Sequence, residues 1–470
     1  METRYNDILF REKLATLFAK NRQIIGAGDI KQMPALRDKA FKLFEKTGFP
    51  DTKNEDWRNT NLKNAFAHNY NILFEPPADK PDIEKIFQCN IHNFDTHIIA
   101  LYNGWYLSED KHLTTLPNGT ITGSLAQATK EYPELVEKHL NKLADINENG
   151  FTALNTAFAQ DGIFIYVPDG VQAYKTIQMV NILDGDEKLF IQNKNLIIVG
   201  KNARLTFLHC DDSYNYNRSF TNTVTEVFIG EGAEVDHYKL QNLNDNSTLI
   251  NTTYFHQKKE SKLKTNAITL NGGLIRNKSN VLLNGKNAKA DIYGLYLVDK
   301  EQHIDNLVFV DHAKPDCDSN ELFKGIVDDN ATAVFNGHIL VRKDSQHTNA
   351  SQTNRNIQLT DKATVYAKPF LEIYADDVKC SHGATIGQLD EEALFYIKSR
   401  GIGEYDARLL LLYAFAAEVV NKISVGALRE NIDDLVKKRL RGELAICDMC
   451  VLQCKTQEKT YEFEIDLSKI

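Results

Sequence analysis

The stretch NLIIVGKNARLTF (residues 195–207) carries the local pattern that decides the fold. A β-branched, apolar run ends at Gly200, a polar turn follows, and a second alternating run begins directly after Ala203. Apolar runs of this length are typical of strands, whereas Gly and Asn are typical of the turns that separate them. The stretch therefore predicts a strand, a tight corner that ends on a small residue, and a second strand.

Similar corners recur through the middle of the chain. Each follows one apolar strand and precedes another, and they lie at residues 200–203, 230–233, 285–288, 328–331 and 360–363. Their spacing is uneven, as in a solenoid with insertions. A small residue at a fixed corner suits a coil that stacks on itself. We predict a mainly β protein in which residues 151–388 form a right-handed parallel β-helix, with a β-sandwich as the alternative.

Helical patterns lie on both sides of this core. Apolar residues recur every three or four positions in the first 46 residues, which indicates amphipathic helices and an N-terminal helical and mixed domain at residues 1–150. Residues 389–470 return to a helical pattern and form the predicted C-terminal domain with a Cys-containing tail. Within it, residues 404–423 are apolar nearly all round, so we expect that helix to be buried and this end to receive another protein.

Charge and composition exclude several classes of function. The net charge of −9 is spread along the chain, which argues against a nucleic-acid partner. The longest apolar run, residues 409–420, is too short to span a membrane, and the first residues lack an apolar signal core. We therefore expect a cytoplasmic protein whose seven cysteines are reduced.

A thiol and an imidazole lie two residues apart in the segment Lys379 to Gly383. In an extended strand Cys380 and His382 project from one face and Ser381 from the other, so the pair could share a metal ion. Two donors are too few for iron or zinc, which points to a site completed by another chain. The alternatives are that Cys380 is a small buried apolar residue while His382 bonds to the turn, or, with less support, that they form a nucleophile and its base.

Three further cysteines lie near the C-terminus, in the sequence CDMCVLQC. If the last helix continues that far, Cys447, Cys450 and Cys454 fall on one face and could bind zinc or part of an iron–sulfur cluster. No fourth ligand is evident, so a packing role is at least as well supported.

Paired carboxylates raise a second possibility for function. The pairs at residues 211–212, 328–329 and 376–377 could serve a cytosolic β-helix enzyme that cleaves carbohydrate, although turns produce such pairs without any catalytic role. Residues 272–280, GGLIRNKSN, resemble a phosphate loop, but Asn277 replaces the glycine that must precede Lys-Ser. We therefore expect the chain to bind no ATP.

Longer segments resemble a known family. Residues 335–402, which include YADDVKCSHGATIGQLDEEALFYIKSRGI, are similar to the SufD branch of the SufB/SufD family of iron–sulfur cluster assembly scaffold proteins. The segments GFPDTKNEDWRNTNL (residues 48–62) and FTALNTAFAQDGIFIYVPDGV (residues 151–171) resemble the family's Glu-x-Trp segment and the start of its core. The SufB paralogue carries Glu-His-Glu-Ala-Thr where this chain has Ser-His-Gly-Ala-Thr at residues 381–385. The resemblance is therefore to SufD.

The resemblance implies a non-catalytic scaffold with a β-helix core between helical domains. Its partners would be a SufB-like scaffold and a SufC-like ATPase, and a homodimer of the isolated chain is an alternative pairing. Iron or a transient iron–sulfur cluster would be shared with SufB at the interface. His382 matches the family's proposed SufD ligand, with Cys380 as a weaker second. The ATPase would bind the C-terminal helices, at Glu404, Tyr405, Arg408 and Leu409.

Overall fold

A computed structural model of the chain describes residues 6–78, 96–108, 112–173, 175–185, 187–213 and 215–444. In these residues most of the regular structure is β. The strands, in chain order, are β1 (Thr96–Tyr102), β2 (Trp105–Tyr106), β3 (Thr114–Thr115), β4 (Ile121–Ser124), β5 (Ile163–Val167), β6 (Thr176–Leu183), β7 (Leu189–Val199), β8 (Arg204–Ser213), β9 (Ser219–Ile229), β10 (Glu234–Asn242), β11 (Thr248–Gln257), β12 (Lys262–Asn271), β13 (Leu274–Leu283), β14 (Lys289–Val298), β15 (His303–His312), β16 (Asp318–Val327), β17 (Thr332–Val341), β18 (Asn349–Gln358), β19 (Thr364–Ile373) and β20 (Lys379–Gly387).

The strands form two ten-stranded sheets. Sheet 1 has the order β2-β1-β6-β8-β10-β12-β14-β16-β18-β20, and sheet 2 has the order β19-β17-β15-β13-β11-β9-β7-β5-β4-β3. From β5 to β20 consecutive strands alternate between the sheets, and each pairs in parallel with the strand one coil away. The predicted parallel β-helix is confirmed. The β-sandwich alternative is wrong, because sandwiches are built from antiparallel sheets.

Each coil has nearly the same length. In-register partners on neighbouring coils are between 26 residues apart, as Thr248 and Leu274 are, and 32 residues apart, as Thr332 and Thr364 are. This near-constant length keeps side chains stacked in columns from coil to coil. The register therefore brings together residues that are far apart in the sequence.

The small residues at the predicted corners are buried, but they do not form one series. Ala203, Ala233 and Ala288 precede strands of sheet 1, whereas Ala331 and Ala363 precede strands of sheet 2 and lie on the opposite edge of the β-helix. Four coils in the first series lack alanine and have instead the buried residues Ser261, Cys317 and Thr348 and the partly buried Val378. The uneven spacing in the sequence thus arises from two edges and from replaced alanines, and not from insertions.

The corners before sheet 1 share one backbone geometry. In the corners that precede β8 to β18, the residue before the small residue has a positive φ, between 54° and 66°, at Asn202, Gly232, Glu260, Asn287, Asp316 and His347. Its N–H donates to a carbonyl oxygen of the next coil, for example Gly232 to Lys259 at 2.8 Å and Glu260 to Lys286 at 2.9 Å. The turns therefore stack by hydrogen bonds just as the strands do.

Helices cover the outer faces of both sheets. They are α1 (Asp7–Ile25), α2 (Met33–Thr47), a 3-10 turn (Glu55–Trp57), α3 (Lys63–Phe66), α4 (Leu125–Glu131), α5 (Pro133–His139), α6 (Gly150–Phe158), α7 (Glu391–Ser399), α8 (Glu404–Val420) and α9 (Gly426–Leu440). The N-terminal helices pack through Phe10 and Phe158 on the sheet 2 residues Phe190 and Phe220. Helices α8 and α9 pack on the outer face of sheet 1, through residues such as Leu412 and Ile432. None of the helices in the described ranges is long and apolar enough to cross a membrane.

The expectation that residues 404–423 are buried nearly all round is wrong. Helix α8 buries Ala407, Leu412, Ala416, Val419 and Val420, which lie on the side that faces sheet 1. Its other side is exposed or half-buried and carries the exposed Leu410, while Tyr405 in the first turn is 63% exposed. An apolar surface therefore stays open on this helix.

A buried charge cluster anchors the N-terminal segment to sheet 2. The Arg276 guanidinium lies 3.9 Å from the centre of the Trp57 ring and forms an ion pair with Asp305, which also accepts a hydrogen bond from Thr60. Burial lowers the pKa of Arg276 to about 10, so it stays charged at neutral pH. The Glu-x-Trp segment is thus held against the outer faces of strands β13 and β15.

The stacked corners yield a stability prediction. Replacing Ala233, which is fully buried, with valine adds two methyl groups to a corner that packs in the interior core. We expect this overpacking to lower the free energy of unfolding by about 1–3 kcal/mol. Urea denaturation followed by circular dichroism measures the change. Valine at the exposed Ala67 is the matched control and should alter stability by about 0.5 kcal/mol or less. Equal stability of the two variants would contradict the role of the corner.

Candidate functional site

The last coil of the β-helix is open. In the part of the chain that the structure describes, strand β20 pairs only with β18, and β19 pairs only with β17. We call these two strands, residues 364–373 and 379–387, the terminal edge. Within the described residues no strand covers the outward-facing N–H and C=O groups of the terminal edge. Such an edge is a template for pairing with another chain.

Apolar side chains are exposed along and beside the terminal edge. Their exposed fractions lie between 40% and 59%, and the residues are Tyr366, Phe370, Ile373, Tyr374 and Ile386. On the outer face of sheet 2 an aromatic column leads to this edge, because the ring of His338 lies 5.0 Å from Phe309 and 4.8 Å from Phe370. The terminal edge thus combines unpaired backbone groups with an apolar surface, as protein interfaces do.

Cys380 and His382 both lie on strand β20. Their in-register neighbours on β18 are Ala350 and Gln352, which are buried between the sheets. Cys380 is half-buried and packs against the interior core. Because side chains alternate along a strand, His382 belongs to the same inward face, and Ser381 to the opposite face.

His382 and Cys380 differ in how easily each can bind a metal ion. His382 is exposed and makes no hydrogen bond or ion pair with any described residue, so its ring is free to rotate. Burial raises the pKa of the Cys380 thiol, which keeps it protonated at neutral pH. Metals bind the thiolate, whereas a neutral imidazole is a ligand without losing a proton. His382 is therefore the better donor of the two.

A polar column lies beneath His382 in the interior. Glu321 on β16, Gln352 on β18 and His382 on β20 are in-register neighbours on three successive coils. Glu321 and Gln352 are each 1% exposed, and Gln352 Nε2 donates a hydrogen bond of 2.9 Å to Glu321 Oε2. Neither Glu321 nor Gln352 was predicted from the sequence. Each lies about one coil before the next residue of the column, and this spacing identifies them only once the strand register is known.

Metal-binding clusters are not found in the part of the chain that the structure describes. There, no group of three or more His, Cys, Asp or Glu side chains is arranged to hold an ion. Cys380 and His382 thus have no third ligand from the described residues. The predicted cluster of Cys447, Cys450 and Cys454 lies outside the described residues.

The C-terminal helices provide a second exposed surface. Helix α7 buries no residue, and its Phe395 and Tyr396 are 75% and 59% exposed. Of the residues predicted to bind a partner, Glu404 and Tyr405 are exposed at the start of α8, whereas Arg408 and Leu409 are half-buried one turn later. Lys398 joins α7 to α8 through an ion pair of 2.6 Å with Glu404.

The paired carboxylates do not form a catalytic arrangement. Asp211 and Asp212 are successive residues of β8, so their side chains point to opposite faces of sheet 1 and cannot flank one bond. Although burial opposes ionisation, His209 and Lys239 lower the pKa of Asp211, which is consistent with a structural ion cluster. The other two pairs lie in turns that follow β16 and β19. The segment that superficially resembles a phosphate loop lies almost entirely in strand β13, which is paired on both sides.

Comparison with known protein families covers nearly the whole chain. Residues 9–179 match the family described as SufBD protein N-terminal region. Residues 181–415 match the one described as SUF system FeS cluster assembly, SufBD core domain. The second match includes the terminal edge and most of α8.

Individual relatives agree with this result. The chain is 30% identical over 412 residues to an iron–sulfur cluster assembly SufBD family protein of Synechocystis, which covers 86% of this chain and 90% of the relative. It is 29% identical to the iron–sulfur cluster assembly protein SufD of Escherichia coli, over 84% of this chain and 90% of the relative. It is 26% identical to SufD of Bacillus subtilis, over 81% and 94% of the two chains. The predicted resemblance to SufD is confirmed, and the chain belongs to the SufBD family of iron–sulfur cluster assembly proteins.

Proposed function

We propose that the chain is a non-catalytic scaffold subunit that works in the cytoplasm with a SufB-like scaffold and a SufC-like ATPase. In this proposal iron enters a growing cluster at the interface with the SufB-like partner. The observation that carries the proposal is the position of His382, a free imidazole on the open terminal edge of the β-helix. The names of the relatives from E. coli and B. subtilis support the same role.

Ligand chemistry favours a site shared between two chains. Imidazole nitrogen and thiolate sulfur are both good iron ligands; His382 offers the first, and Cys380 offers the second once a bound metal ion displaces its proton. Two donors leave a four-coordinate ion incomplete, so the partner or a sulfide must supply the rest. A shared site also suits an ion or cluster that is cargo, because movement of the subunits opens the site and releases the product.

The terminal edge is the surface that we assign to the SufB-like partner. A strand of the partner that pairs with β20 would satisfy the unpaired backbone groups and cover Ile386, while a second strand on β19 would cover Phe370. This pairing brings partner residues within reach of His382. A second copy of this chain could use the same edge, so a homodimer is the alternative when no partner is present.

The C-terminal helices are the surface that we assign to the ATPase. Their exposed side carries Tyr405 beside the half-buried Arg408, and aromatic and Arg side chains are frequent energetic centres of interfaces. The buried side of α8 packs directly on sheet 1. Movement of ATPase subunits on ATP binding would therefore act on the β-helix through α8 and shift the terminal edge. No observation favours the alternative of a carbohydrate-cleaving enzyme.

Replacing His382 tests the cluster site. We expect His382→Ala to leave the complex with its partners intact, because the side chain is exposed, and to lower assembled cluster at least about tenfold, since loss of even an outer-shell partner of a metal site has this effect. Anaerobic purification of the complex, with iron and sulfide quantified per complex, measures the change. Ser381→Ala, on the other face of the same strand, is the control. A normal iron and sulfide content in His382→Ala would reject His382 as a ligand of the cluster.

Replacing Leu410 tests the ATPase surface. Leu410→Asp places a charge on the side of α8 that faces away from sheet 1, where Leu410 is exposed, and we expect it to weaken binding of the SufC-like ATPase about 30-fold or more, corresponding to about 2 kcal/mol for an interface centre. Isothermal titration calorimetry with purified ATPase gives the dissociation constant. Ile8→Asp, at an exposed apolar residue of α1, is the matched control. Equal affinities for wild type and Leu410→Asp would reject this surface.

A further inference from the structure

The buried acid of the interior column lacks a charge partner. Glu321 is 1% exposed, and none of the basic side chains in the described ranges forms an ion pair with it. Its Oε2 accepts the hydrogen bond from Gln352, while its Oε1 has no partner among the same residues. Burial raises the pKa of Glu321 to about 8. A buried acid with half of its hydrogen-bonding capacity unused calls for an explanation beyond packing.

The amide of Gln352 is held in a fixed place. If Gly337 on the facing sheet had a Cβ atom, that atom would lie 2.3 Å from Gln352 Nε2, so the absence of a side chain at Gly337 provides the space for the amide. A protonated Glu321 still has one acceptor oxygen, and Gln352 Nε2 donates to its Oε2, so the nitrogen of the amide is the end that faces the acid. The carbonyl oxygen, Oε1, is buried and has no partner among the described residues.

Two unsatisfied groups thus occupy neighbouring positions of one column. Gln352 presents an unpaired acceptor, and its in-register neighbour His382 has a ring without a hydrogen bond. Adjacent strands of a sheet lie about 4.8 Å apart, which is within reach of an imidazole that rotates about its side-chain bonds. A histidine that binds a metal almost always donates its other ring N–H to a carboxylate or carbonyl oxygen.

We propose that Gln352, held in orientation by Glu321, is the positioning residue of His382. Its carbonyl oxygen accepts the N–H of one ring nitrogen, which fixes the tautomer and directs the other nitrogen to the open edge where iron is received. The chain of contacts runs from the His382 N–H to Gln352 Oε1 and from Gln352 Nε2 to Glu321. No covalent bond changes, and the only proton involved stays on the imidazole. This inference rests on the proposed function, because it assigns the hydrogen-bond acceptor for His382, the residue proposed there as the iron ligand.

A metal-free measurement tests the positioning role. In the full chain with 15N-labelled histidine, the His382 resonances are identified by their loss in His382→Ala, and their chemical shifts report the tautomer. We expect one tautomer to dominate in the wild type. In Gln352→Met, which keeps the length of the side chain and removes the acceptor, we expect the tautomer mixture of a solvent-exposed histidine. Gln352→Glu should restore the wild-type tautomer, since it keeps an acceptor oxygen. Thr353→Val, one residue along the strand and on the other face, should change nothing.

The same samples report metal binding at this one residue. Titration with Co²⁺ as the probe, followed through broadening of the His382 resonance, should require about 10- to 100-fold more metal in Gln352→Met than in the wild type. An unchanged tautomer and an unchanged Co²⁺ titration in Gln352→Met would overturn the proposal. If Gln352→Met does not fold, the double variant with Glu321→Leu replaces both polar partners by apolar groups and leaves no buried acid unsatisfied.

The result also separates this inference from the proposed function. If cluster assembly depends on His382 but the tautomer does not depend on Gln352, the site stands and the positioning role is rejected. If the tautomer depends on Gln352 but His382→Ala assembles clusters normally, the column orders the histidine and the proposed iron site is rejected.

Discussion

The hydrogen-bonded stacking of one coil on the next is the interaction on which the rest of the structure depends. Every strand from β6 to β18 has a parallel neighbour on each side, and the corner turns repeat this pairing through residues such as Gly232 and Glu260. A parallel stack has no internal reason to end, so its last coil exposes one full set of unpaired groups. The terminal edge follows directly from this architecture, and the proposed partner surface follows from the terminal edge.

The same stacking places side chains in columns that the linear sequence does not reveal. Glu321, Gln352 and His382 become neighbours only because the coils keep a constant register over about 60 residues. The column passes from a buried acid to an exposed imidazole, so the interior and the candidate site are physically continuous. A strand register shift by one residue would turn His382 to the opposite face and separate it from Gln352.

The sequence was sufficient to predict the class of fold and the face shared by Cys380 and His382, because strand alternation and corner chemistry are local properties. It was insufficient for the coil length, since Ala288 and Ala331 look equivalent in sequence but lie on opposite edges. It also overestimated the burial of α8, because an apolar composition does not show which side of a helix is covered. The roles of Cys447, Cys450 and Cys454 stay predictions. Glu321 and Gln352 had no local signal at all, since polar residues in a strand usually face solvent.

Hydrogen–deuterium exchange of the full chain, with and without a purified SufB-like partner, tests most directly that the open last coil is the functional surface. We expect peptides covering residues 364–387 to become protected on addition of the partner, while peptides in the central coils, such as residues 248–257, keep the exchange rates of the isolated chain. Formation of the complex without protection of residues 364–387, or with protection confined to another face, would contradict this expectation.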